Sequence, residues 1–346
     1  MRSEVRGDPT HEPVFKALSY SRYGPPSVVR VEEVPKPVPG RGEVLLRVHA
    51  GSVNTADWRM RAAAFPGILV IPGRAIYGLH KPRNPRLGTE FAGTVEDLGP
   101  GVTKFDLGDS LFGFKPSGGA SAEFITVPQD SAVAKMPEHH SFEEAAALPF
   151  GGVCALVFLT DFARIEVGQN VLVVGASGGV GVYAVQIAKA LGANVTGVSG
   201  PKSTALVHQL GADATIDYQA TRMESVSARF DLILDTFGAL SPRLARRLLV
   251  PGGLFLPLNF GLAELGAALL NPLRDRKIRI AVNGDKSEDL ERLADLVQSG
   301  DVRPVIDTCY LLEDAARAHA HVETRNRRGA IILQIGDIDM NSKELN

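Results

Sequence analysis

The chain has 346 residues, which suggests two domains, and its 45% hydrophobic and 22% charged residues are ordinary for a globular protein. A net charge of −2 gives no reason to expect a nucleic acid or an anionic membrane as partner, and no apolar run reaches membrane-spanning length. The N-terminus has no hydrophobic signal core, and Cys154 and Cys309 are too few for a disulfide framework or a thiolate-rich zinc site, so we expect a cytoplasmic protein.

Residues 14–130 are predicted to be mostly β-structure. Residues 1–13 are polar, and we interpret them as a flexible extension. Strands are predicted at residues 14–19, 27–34, 43–49 and 122–127, and a short helix near residues 56–61. Between residues 87 and 113 glycine recurs every few positions, and short strands broken in this way favour a small closed β-barrel.

The segment at residues 65–86 is predicted to be irregular, because it is rich in proline, glycine and basic side chains. A loop of this length inside a compact domain is usually functional, so we expect either a lid over the substrate or a surface for a partner.

From residue 168 the pattern changes to alternating strands and helices. Six short strands are predicted, at residues 171–174, 195–198, 214–216, 231–235, 253–258 and 278–282. Helices are predicted between them, at residues 181–191, 203–210 and 241–249. This alternation indicates a doubly wound α/β sheet, whose ligands bind at the carboxyl ends of the strands. Helices are also predicted at residues 287–299 and 313–323, and a polar tail at residues 337–346.

The turn at residues 175–181 has the sequence GASGGVG and lies where a strand changes to a helix. In a dinucleotide site, Gly178 lets the backbone approach a diphosphate, Gly181 lets the helix pack on the strand, and the helix N-terminus offers N–H groups to the phosphates. Ala176 replaces the first glycine of the GxGxxG pattern. The strand–turn–helix–strand context therefore predicts a dinucleotide cofactor. The alternative is a tight turn that binds no phosphate.

The residues after the second strand indicate which cofactor is bound. An NAD site usually places Asp or Glu there, to accept hydrogen bonds from the ribose. Here Ser199 and Lys202 follow the strand, and no acid precedes Asp213. A hydroxyl and an ammonium match a 2′-phosphate, which a carboxylate would repel, and Tyr218 is placed to cover the same phosphate or the adenine. The sequence therefore predicts NADP(H). The alternative for Lys202 is an ordinary solvated lysine.

Several separated motifs resemble the medium-chain dehydrogenase/reductase superfamily, over roughly residues 14–335. They are VNTADW at 53–58, LGTEFAGTVEDLGPGVTKFDLGDSLFG at 87–113, AAALP at 145–149, VLVVGASGGVGVYAVQIAKALGA at 171–193, LGADATIDY at 210–218 and DVRPVID at 301–307. The chain is most similar to the zinc-independent quinone oxidoreductases and alkenal/enone reductases. The resemblance implies a GroES-like β-barrel catalytic domain at residues 14–150, completed by residues 287–336. It also implies a Rossmann domain at residues 151–286 and a cleft between the two.

The zinc-dependent alcohol dehydrogenases of the superfamily resemble this chain in fold but differ at the metal-ligand positions. They place a cysteine before the early Asp, a histidine before the glutamate of the barrel block, and another cysteine near the helix that leads to the nucleotide domain. The first two positions here are Thr55 or Ala56 and Thr89, and no cysteine pairs with them, so Glu90 alone remains. A catalytic zinc needs three protein ligands, so no metal is expected.

Without a metal, the chemistry has to suit a hydride donor that acts unaided. Reduction of an enone or a quinone delocalises charge into the π-system and can take its proton from water, so the protein supplies orientation and a polarised carbonyl. The resemblance therefore implies an NADPH-dependent oxidoreductase that acts on an enone, an enal or a quinone. It also implies a homodimer that pairs through the last strand of the nucleotide sheet. The alternative is a protein that binds NADPH without turnover, as a redox sensor, scaffold or structural protein.

The resemblance assigns cofactor contacts residue by residue. The residues expected along the diphosphate are Ser177, Gly178, Gly179 and Val180. Those expected at the adenosine phosphate are Ser199, Lys202 and Tyr218. Arg59 stands where related enone reductases often keep a cofactor-contacting lysine; the alternative is a solvent-facing arginine on a helix. Leu258 and Val282 are expected near the nicotinamide.

Three further positions matter for the expected chemistry. Related enoyl-thioester reductases often use a tyrosine where this chain has Phe65, and Tyr77 in the same segment is the one candidate proton donor. Cys154 and Ala330 depart from the family pattern, which has Thr and Lys there, so the resemblance gives little support for a cofactor contact from the C-terminal arm.

Overall fold

The structure is a computed structural model that describes residues 14–65, 70–284 and 286–336. The interpretation of residues 1–13 as an extension and of residues 337–346 as a tail concerns segments outside the described residues.

The N-terminal part of the chain is mainly β-structure, as predicted. Its strands are β1 (Val14–Ser19), β2 (Arg30–Pro35), β3 (Glu43–Val53), β4 (Glu90–Leu98), β5 (Ser110–Phe114), β6 (Phe124–Pro128) and β7 (Val133–Lys135). Its helices are α1 (Thr55–Ala62), α2 (Val70–Tyr77) and α3 (Phe142–Ala146). A further helical stretch at residues 149–163 leads into the next part of the chain, with α4 (Cys154–Val157) at its centre and a π-helical turn on each side.

The central part of the chain alternates strands and helices. Its strands are β8 (Asn170–Val174), β9 (Asn194–Ser199), β10 (Ala214–Asp217), β11 (Phe230–Asp235), β12 (Leu249–Pro257) and β13 (Lys277–Ile278). Its helices are α5 (Gly181–Ala190), α6 (Thr204–Gln209), α7 (Pro242–Leu248) and α8 (Leu262–Leu269). All six strands are parallel and lie in the order β10-β9-β8-β11-β12-β13, which is the doubly wound order. The α/β fold class is therefore confirmed.

The C-terminal part of the chain returns to the first sheet. It contains α9 (Ser287–Gln298), β14 (Ile306–Leu311), α10 (Ala315–Glu323) and β15 (Ala330–Gln334). Strand β15 pairs antiparallel with β3, and the resulting seven-stranded sheet runs β14-β15-β3-β4-β5-β7, with β6 paired to β3. The chain therefore crosses between its two units twice, and the segment before β15 is brought back to the edge of the nucleotide sheet.

Three predicted elements differ from the structure. The segment at residues 65–86 is not wholly irregular, because Val70–Tyr77 forms α2. In the predicted strand at residues 27–34, Pro26–Val28 is a 3-10 turn that begins at a proline, and the strand starts only at Arg30. The last sheet strand ends at Ile278 instead of residue 282, because β13 pairs with β12 over only two residues.

One buried cluster joins the two units. It includes Phe112 of β5, the helical stretch at residues 149–163, and the inward side chains of β8 and α5. Strand β8 is buried at every position after Asn170, as expected for a central parallel strand that is covered on both faces. None of the helices in the described part of the chain has the length and apolar character that crossing a membrane requires.

Candidate functional site

The glycine-rich turn lies between β8 and α5, at the carboxyl edge of the sheet. A Cβ added at Gly181 would lie 2.0 Å from the Gly175 carbonyl oxygen, so only glycine allows the helix to start this close to the strand. A Cβ added at Gly178 would meet only the Gly175 carbonyl, at 3.3 Å, which leaves that side of the turn open to a ligand. Both glycines therefore have the properties that a dinucleotide turn requires.

The N-terminus of α5 completes this wall of the cleft. Val180 precedes the helix and has no capping side-chain hydrogen bond. The first N–H groups of a helix lack intrahelical partners and carry partial positive charge, so they are suited to phosphate oxygens. Ser177, Gly178, Gly179 and Val180 thus lie where the sequence predicts diphosphate contacts.

The end of β9 is where the sequence predicts the adenosine-phosphate end of the site. Ser199 is buried, and its carbonyl accepts a hydrogen bond of 3.2 Å from the N–H of Tyr218. The Tyr218 hydroxyl lies over Gly200, 3.3 Å from where a Cβ would be added. Lys202 is exposed on the 3-10 turn Pro201–Ser203 that follows. The structure therefore brings these predicted residues to one end of the cleft, with no carboxylate among them.

The C-terminal arm before β15 lies directly on the glycine-rich turn. The N–H of Gly329 donates to the Ser177 carbonyl at 3.0 Å. Arg327 extends from this arm, and its Nη2 lies 3.0 Å from a Cβ added at Gly179 and 3.0 Å from the Thr55 hydroxyl at the start of α1. The departure at Ala330 had suggested that this arm gives little to the site, but the arm supplies arginines from other positions.

Two further arginines cross the cleft. Arg325 stacks on the Phe237 ring at 3.8 Å and donates to the Phe237 carbonyl at 2.7 Å. Arg59 of α1 donates to the side-chain carbonyl of Asn259, which follows Leu258 at the carboxyl end of β12. Arg59 therefore lies at the carboxyl edge of the sheet, bonded to the residue that follows Leu258.

Asp235 holds the loop that carries Phe237 in place. Its Oδ1 accepts hydrogen bonds from the N–H groups of Phe237 and Gly238, at 3.0 and 2.7 Å, and its Oδ2 accepts one from Leu240 at 2.9 Å. Burial raises the pKa of this carboxyl, and these backbone hydrogen bonds act in the opposite direction. The loop that follows β11 is therefore fixed by its hydrogen bonds to Asp235.

Two buried acids support α1 on the barrel wall. Asp57 accepts a hydrogen bond from the Asn54 N–H at 2.9 Å and one from the Thr89 hydroxyl at 3.2 Å. The Asn54 side chain in turn accepts from the N–H groups of Ala56 and Asp57, which makes a capping box at the start of α1. Burial raises the pKa of Asp57 to about 7; Glu90 acts in the same direction, and the hydrogen bonds oppose it.

Glu90 ties the barrel to the helical stretch at residues 149–163. Its carboxyl accepts a hydrogen bond of 2.5 Å from the Phe150 N–H, one of 2.7 Å from the Asn54 amide, and one from the Ser52 hydroxyl. Burial raises the pKa of Glu90, and these three hydrogen bonds lower it. Among the described residues, no group of three or more His, Cys, Asp or Glu side chains is arranged to hold a metal ion. These geometries favour a buried structural role for Glu90.

The structure does not gather every predicted residue at the cleft. Tyr77 ends α2 and stacks on Phe65, with ring centroids 5.5 Å apart, and the described residues show no contact between it and the glycine-rich turn. Val282 lies four residues after the end of β13 and is 75% exposed, so it is not at the end of a strand as predicted.

Sequence reasoning missed Arg325, Arg327, Asn259 and Phe237. Asp235 with Gly238 three residues later indicates a turn at the end of a buried strand, which is a signal for Phe237. No spacing rule connects residues 325 and 327 to a turn about 150 residues earlier, so these arginines were not accessible from the pattern.

Two protein-family models match this chain. The alcohol dehydrogenase GroES-like domain matches residues 40–138, and the zinc-binding dehydrogenase domain matches residues 210–333. The first covers most of the N-terminal strands, and the second begins just after α6 and ends within β15.

The relatives are similar over nearly the whole chain. The chain is 30% identical over 340 residues to a chloroplast envelope quinone oxidoreductase homolog of Arabidopsis thaliana, covering 93% of this chain and 98% of that protein. The solved structure of the quinone oxidoreductase from Coxiella burnetii superposes with a TM-score of 0.83 at 26% identity, covering 94% of this chain and 100% of that one.

A metal-bound structure is also similar. The cobalt- and zinc-bound thermostable alcohol dehydrogenase from Pyrobaculum aerophilum superposes with a TM-score of 0.78 at 27% identity, covering 93% of this chain and 100% of that one. Because metal-bound and quinone-reducing proteins share this fold, the side chains at the site decide the chemistry.

Proposed function

The chain belongs to the medium-chain dehydrogenase/reductase superfamily, in its quinone oxidoreductase branch, and from this premise we propose that it reduces a quinone, enone or enal with NADPH and without zinc. That it is a dinucleotide-binding oxidoreductase with a small-molecule substrate follows from the family. The preference for NADPH, the acceptor class and the independence of zinc are our proposals.

One observation carries the proposal of NADPH. At the end of β9, the hydroxyls of Ser199 and Tyr218 lie around Gly200 with Lys202 on the next turn, and no carboxylate takes the place that a ribose-binding acid would have. A 2′-phosphate carries negative charge and acceptor oxygens, which a lysine and hydroxyls match well.

The side chains at the metal-ligand positions support a zinc-independent reaction. Thr55 has a neutral hydroxyl instead of a thiolate, and this hydroxyl accepts a hydrogen bond from Arg327. Thr89 is engaged by Asp57 and Asn54, and Glu90 by three donors. Zinc requires three free ligands that converge on one point.

The residues of the chain then have the task of binding and orientation. When bound, NADPH supplies the hydride. The glycine-rich turn positions the diphosphate, Leu258 packs near the nicotinamide end, and Arg59 and Arg325 hold positive charge in the cleft, where it favours charge that develops on an acceptor oxygen. We take the proton from solvent water, because the contacts of Tyr77 do not extend to this site.

A binding and turnover experiment tests the proposal. NADPH and NADH binding can be followed by quenching of Trp58, the single tryptophan, and oxidation of both cofactors can be measured with a quinone and an enone panel. We expect NADPH to bind at least about tenfold more tightly than NADH, and Lys202→Ala to remove most of that preference. Lys286→Ala, at an exposed position before α9, is the matched control. A preference for NADH, or activity that depends on added zinc, would refute the proposal, whereas tight NADPH binding without turnover of any acceptor would favour the binding protein.

We also propose a homodimer at the β13 edge of the sheet. Among the described residues, strand β13 pairs with β12 alone, and Leu269, Leu273 and Val282 beside it are 82%, 80% and 75% exposed. Burying such side chains against a second copy would be favourable. Light scattering of the wild type and of Leu273→Asp decides this, with a dimer expected for the first and a monomer for the second.

A further inference from the structure

The segment around α2 is both apolar and exposed. The helix packs through one side: a Cβ added at Gly73 would lie 2.6 Å from the Phe65 ring, and Tyr77, one turn later, stacks on the same ring. Neighbouring apolar side chains that remain in solvent are typical of a surface that binds a partner or a membrane. The large exposed side chains of this segment are Ile71, Ile76 and Leu79, which are 80%, 64% and 62% exposed.

Hydrogen bonds hold the segment in the conformation that exposes these side chains. The Tyr23 hydroxyl donates to the Gly78 carbonyl at 2.7 Å, directly after the helix. The Arg83 N–H donates to the Tyr77 carbonyl at 2.8 Å, and the Arg83 guanidinium donates to the Ile76 carbonyl at 3.2 Å. The backbone of the segment is therefore tied to the residues before and after it, while its apolar side chains stay outside.

Basic side chains accompany the apolar ones. Residues 58–89 contain six Arg or Lys and no Asp or Glu, although the net charge of the whole chain is −2. Lys81 and Arg83 are exposed and form no ion pair within the described part of the chain, whereas Arg86 pairs with Glu32 at 3.2 Å. The net charge, which gave no reason to expect an anionic membrane, thus conceals a local excess of positive charge beside exposed isoleucine and leucine side chains.

We propose that the α2 surface, formed by Ile71, Ile76, Leu79, Lys81 and Arg83, binds the surface of an anionic phospholipid bilayer. Such a surface offers acyl chains to apolar side chains and phosphate groups to cations at the same time. A second copy of the chain is a poor occupant, because a two-fold contact would bring the same cations together. The proposal goes beyond the proposed function and does not depend on the cofactor or the acceptor.

Co-sedimentation of the full chain with vesicles, without cofactor or acceptor, tests the proposal. We expect at least about tenfold stronger binding to phosphatidylcholine vesicles that contain about 30% phosphatidylglycerol than to pure phosphatidylcholine, and weaker binding as salt is raised. Ile71→Ser combined with Ile76→Ser should weaken binding to the anionic vesicles about tenfold, because it removes the apolar contact. Lys81→Gln should weaken it about fivefold.

Two control variants change similar side chains elsewhere. Leu107→Ser combined with Val167→Ser removes apolar side chains that are 64% and 84% exposed. Lys286→Gln neutralises another exposed lysine. Both controls should bind the anionic vesicles as the wild type does.

A fluorescent label measures insertion directly, including the case in which the serine variants do not fold. Cys309 is the exposed cysteine and Cys154 is buried, so the label is attached in a Cys309→Ser background. An environment-sensitive fluorophore on Ile71→Cys should brighten when anionic vesicles are added, and the same fluorophore on Val167→Cys should not.

Other results overturn the proposal. Equal binding to neutral and anionic vesicles shows that the cations are not used. Unchanged binding in the folded isoleucine variant, or no response of the label at position 71, shows that α2 does not insert. If the wild type binds no vesicles but is retained by immobilised poly-glutamate, the α2 surface fits an acidic protein partner instead of a membrane.

Discussion

The two walls of the cleft are built by different means. At the predicted diphosphate end, the wall of the nucleotide sheet is made of backbone, with a glycine-rich turn of seven consecutive residues and the N-terminus of the helix that follows it. The barrel wall is made of side chains from α1, β4 and the C-terminal arm, which are held by hydrogen bonds between residues far apart in sequence.

This difference determines how each wall responds to substitution. A backbone site fails when an added atom has no space. A side-chain site fails when a buried donor or acceptor loses its partner or when a charge is left without compensation. The predictions below test this contrast, from the largest expected effect to the smallest.

The strongest test is a methyl group at Gly181. In Gly181→Ala the new Cβ would lie 2.0 Å from the Gly175 carbonyl, so α5 has to move away from β8, and we expect a loss of about 3 kcal/mol or more. Gly266→Ala in α8 is the control, because no heavy atom lies within 4 Å of its Cβ; it should be neutral or stabilise by up to about 1 kcal/mol. Urea unfolding followed by circular dichroism measures both. Similar stability of the two variants would show that the turn tolerates side chains.

The second test uses the pH dependence of stability. The folded-state pKa of Asp57 is raised from 3.8 to about 7, so the native state binds this proton more tightly than the unfolded chain does. The contribution of Asp57 to the free energy of unfolding therefore falls as pH rises from about 4 to about 7, by at most about 4 kcal/mol. Asp57→Asn removes this titration. The free energy of unfolding of Asp57→Asn minus that of the wild type should therefore increase as pH rises from about 4 to about 7.

Buried His319 acts with the opposite sign over part of the same range. Burial, with a smaller effect of Arg61, lowers its pKa from 6.5 to about 3, so its contribution to stability rises with pH between about 3 and 6.5. Because the wild type and Asp57→Asn both contain His319, its contribution cancels in the difference between their free energies of unfolding. Asp275→Asn, at an exposed site, is the control. A pH-independent difference between wild type and Asp57→Asn would disprove the assignment.

The third test breaks the connection between the barrel and the helical stretch at residues 149–163. Glu90→Ala leaves the buried Phe150 N–H and Asn54 amide without their acceptor, and we expect a loss of about 2–3 kcal/mol. Glu90→Gln keeps one acceptor oxygen and should cost only about 1 kcal/mol. Thermal unfolding without cofactor compares the two variants. Equal losses would mean that hydrogen bonding is not the reason for keeping an acid here.

The smallest expected effect concerns the contact between the two walls. Arg59 of α1 donates to Asn259 at the end of β12, in a hydrogen bond with one charged partner. A double-mutant cycle with Arg59→Ala and Asn259→Ala should give a coupling energy of about 1 kcal/mol in the protein without cofactor. Additive losses would show that the walls are not coupled through this pair.

The sequence was a good guide where structure is local. The runs around residues 171–174 and 195–198 became β8 and β9, and the short helix predicted near residues 56–61 corresponds to α1. The last strand was predicted too long, because its length depends on how far β12 can pair with it, and this is not encoded in the apolar run itself. The helix α2 was missed because Pro72 and Gly73 lie inside it, and tertiary contact with Phe65 outweighs their low helix propensity.

The sequence by itself determined the fold class and the glycine-rich turn of the site. The residues of the turn are contiguous, and Gly181 is required where the helix starts close to the strand. Ser199, Lys202 and Tyr218 were also accessible, since they follow successive strands of one sheet. Only the tertiary structure decided the barrel wall. Arg327 reaches Gly179 because β15 pairs with β3 and returns the chain to the cleft, and a contact made by pairing distant segments leaves no periodic trace in either of them.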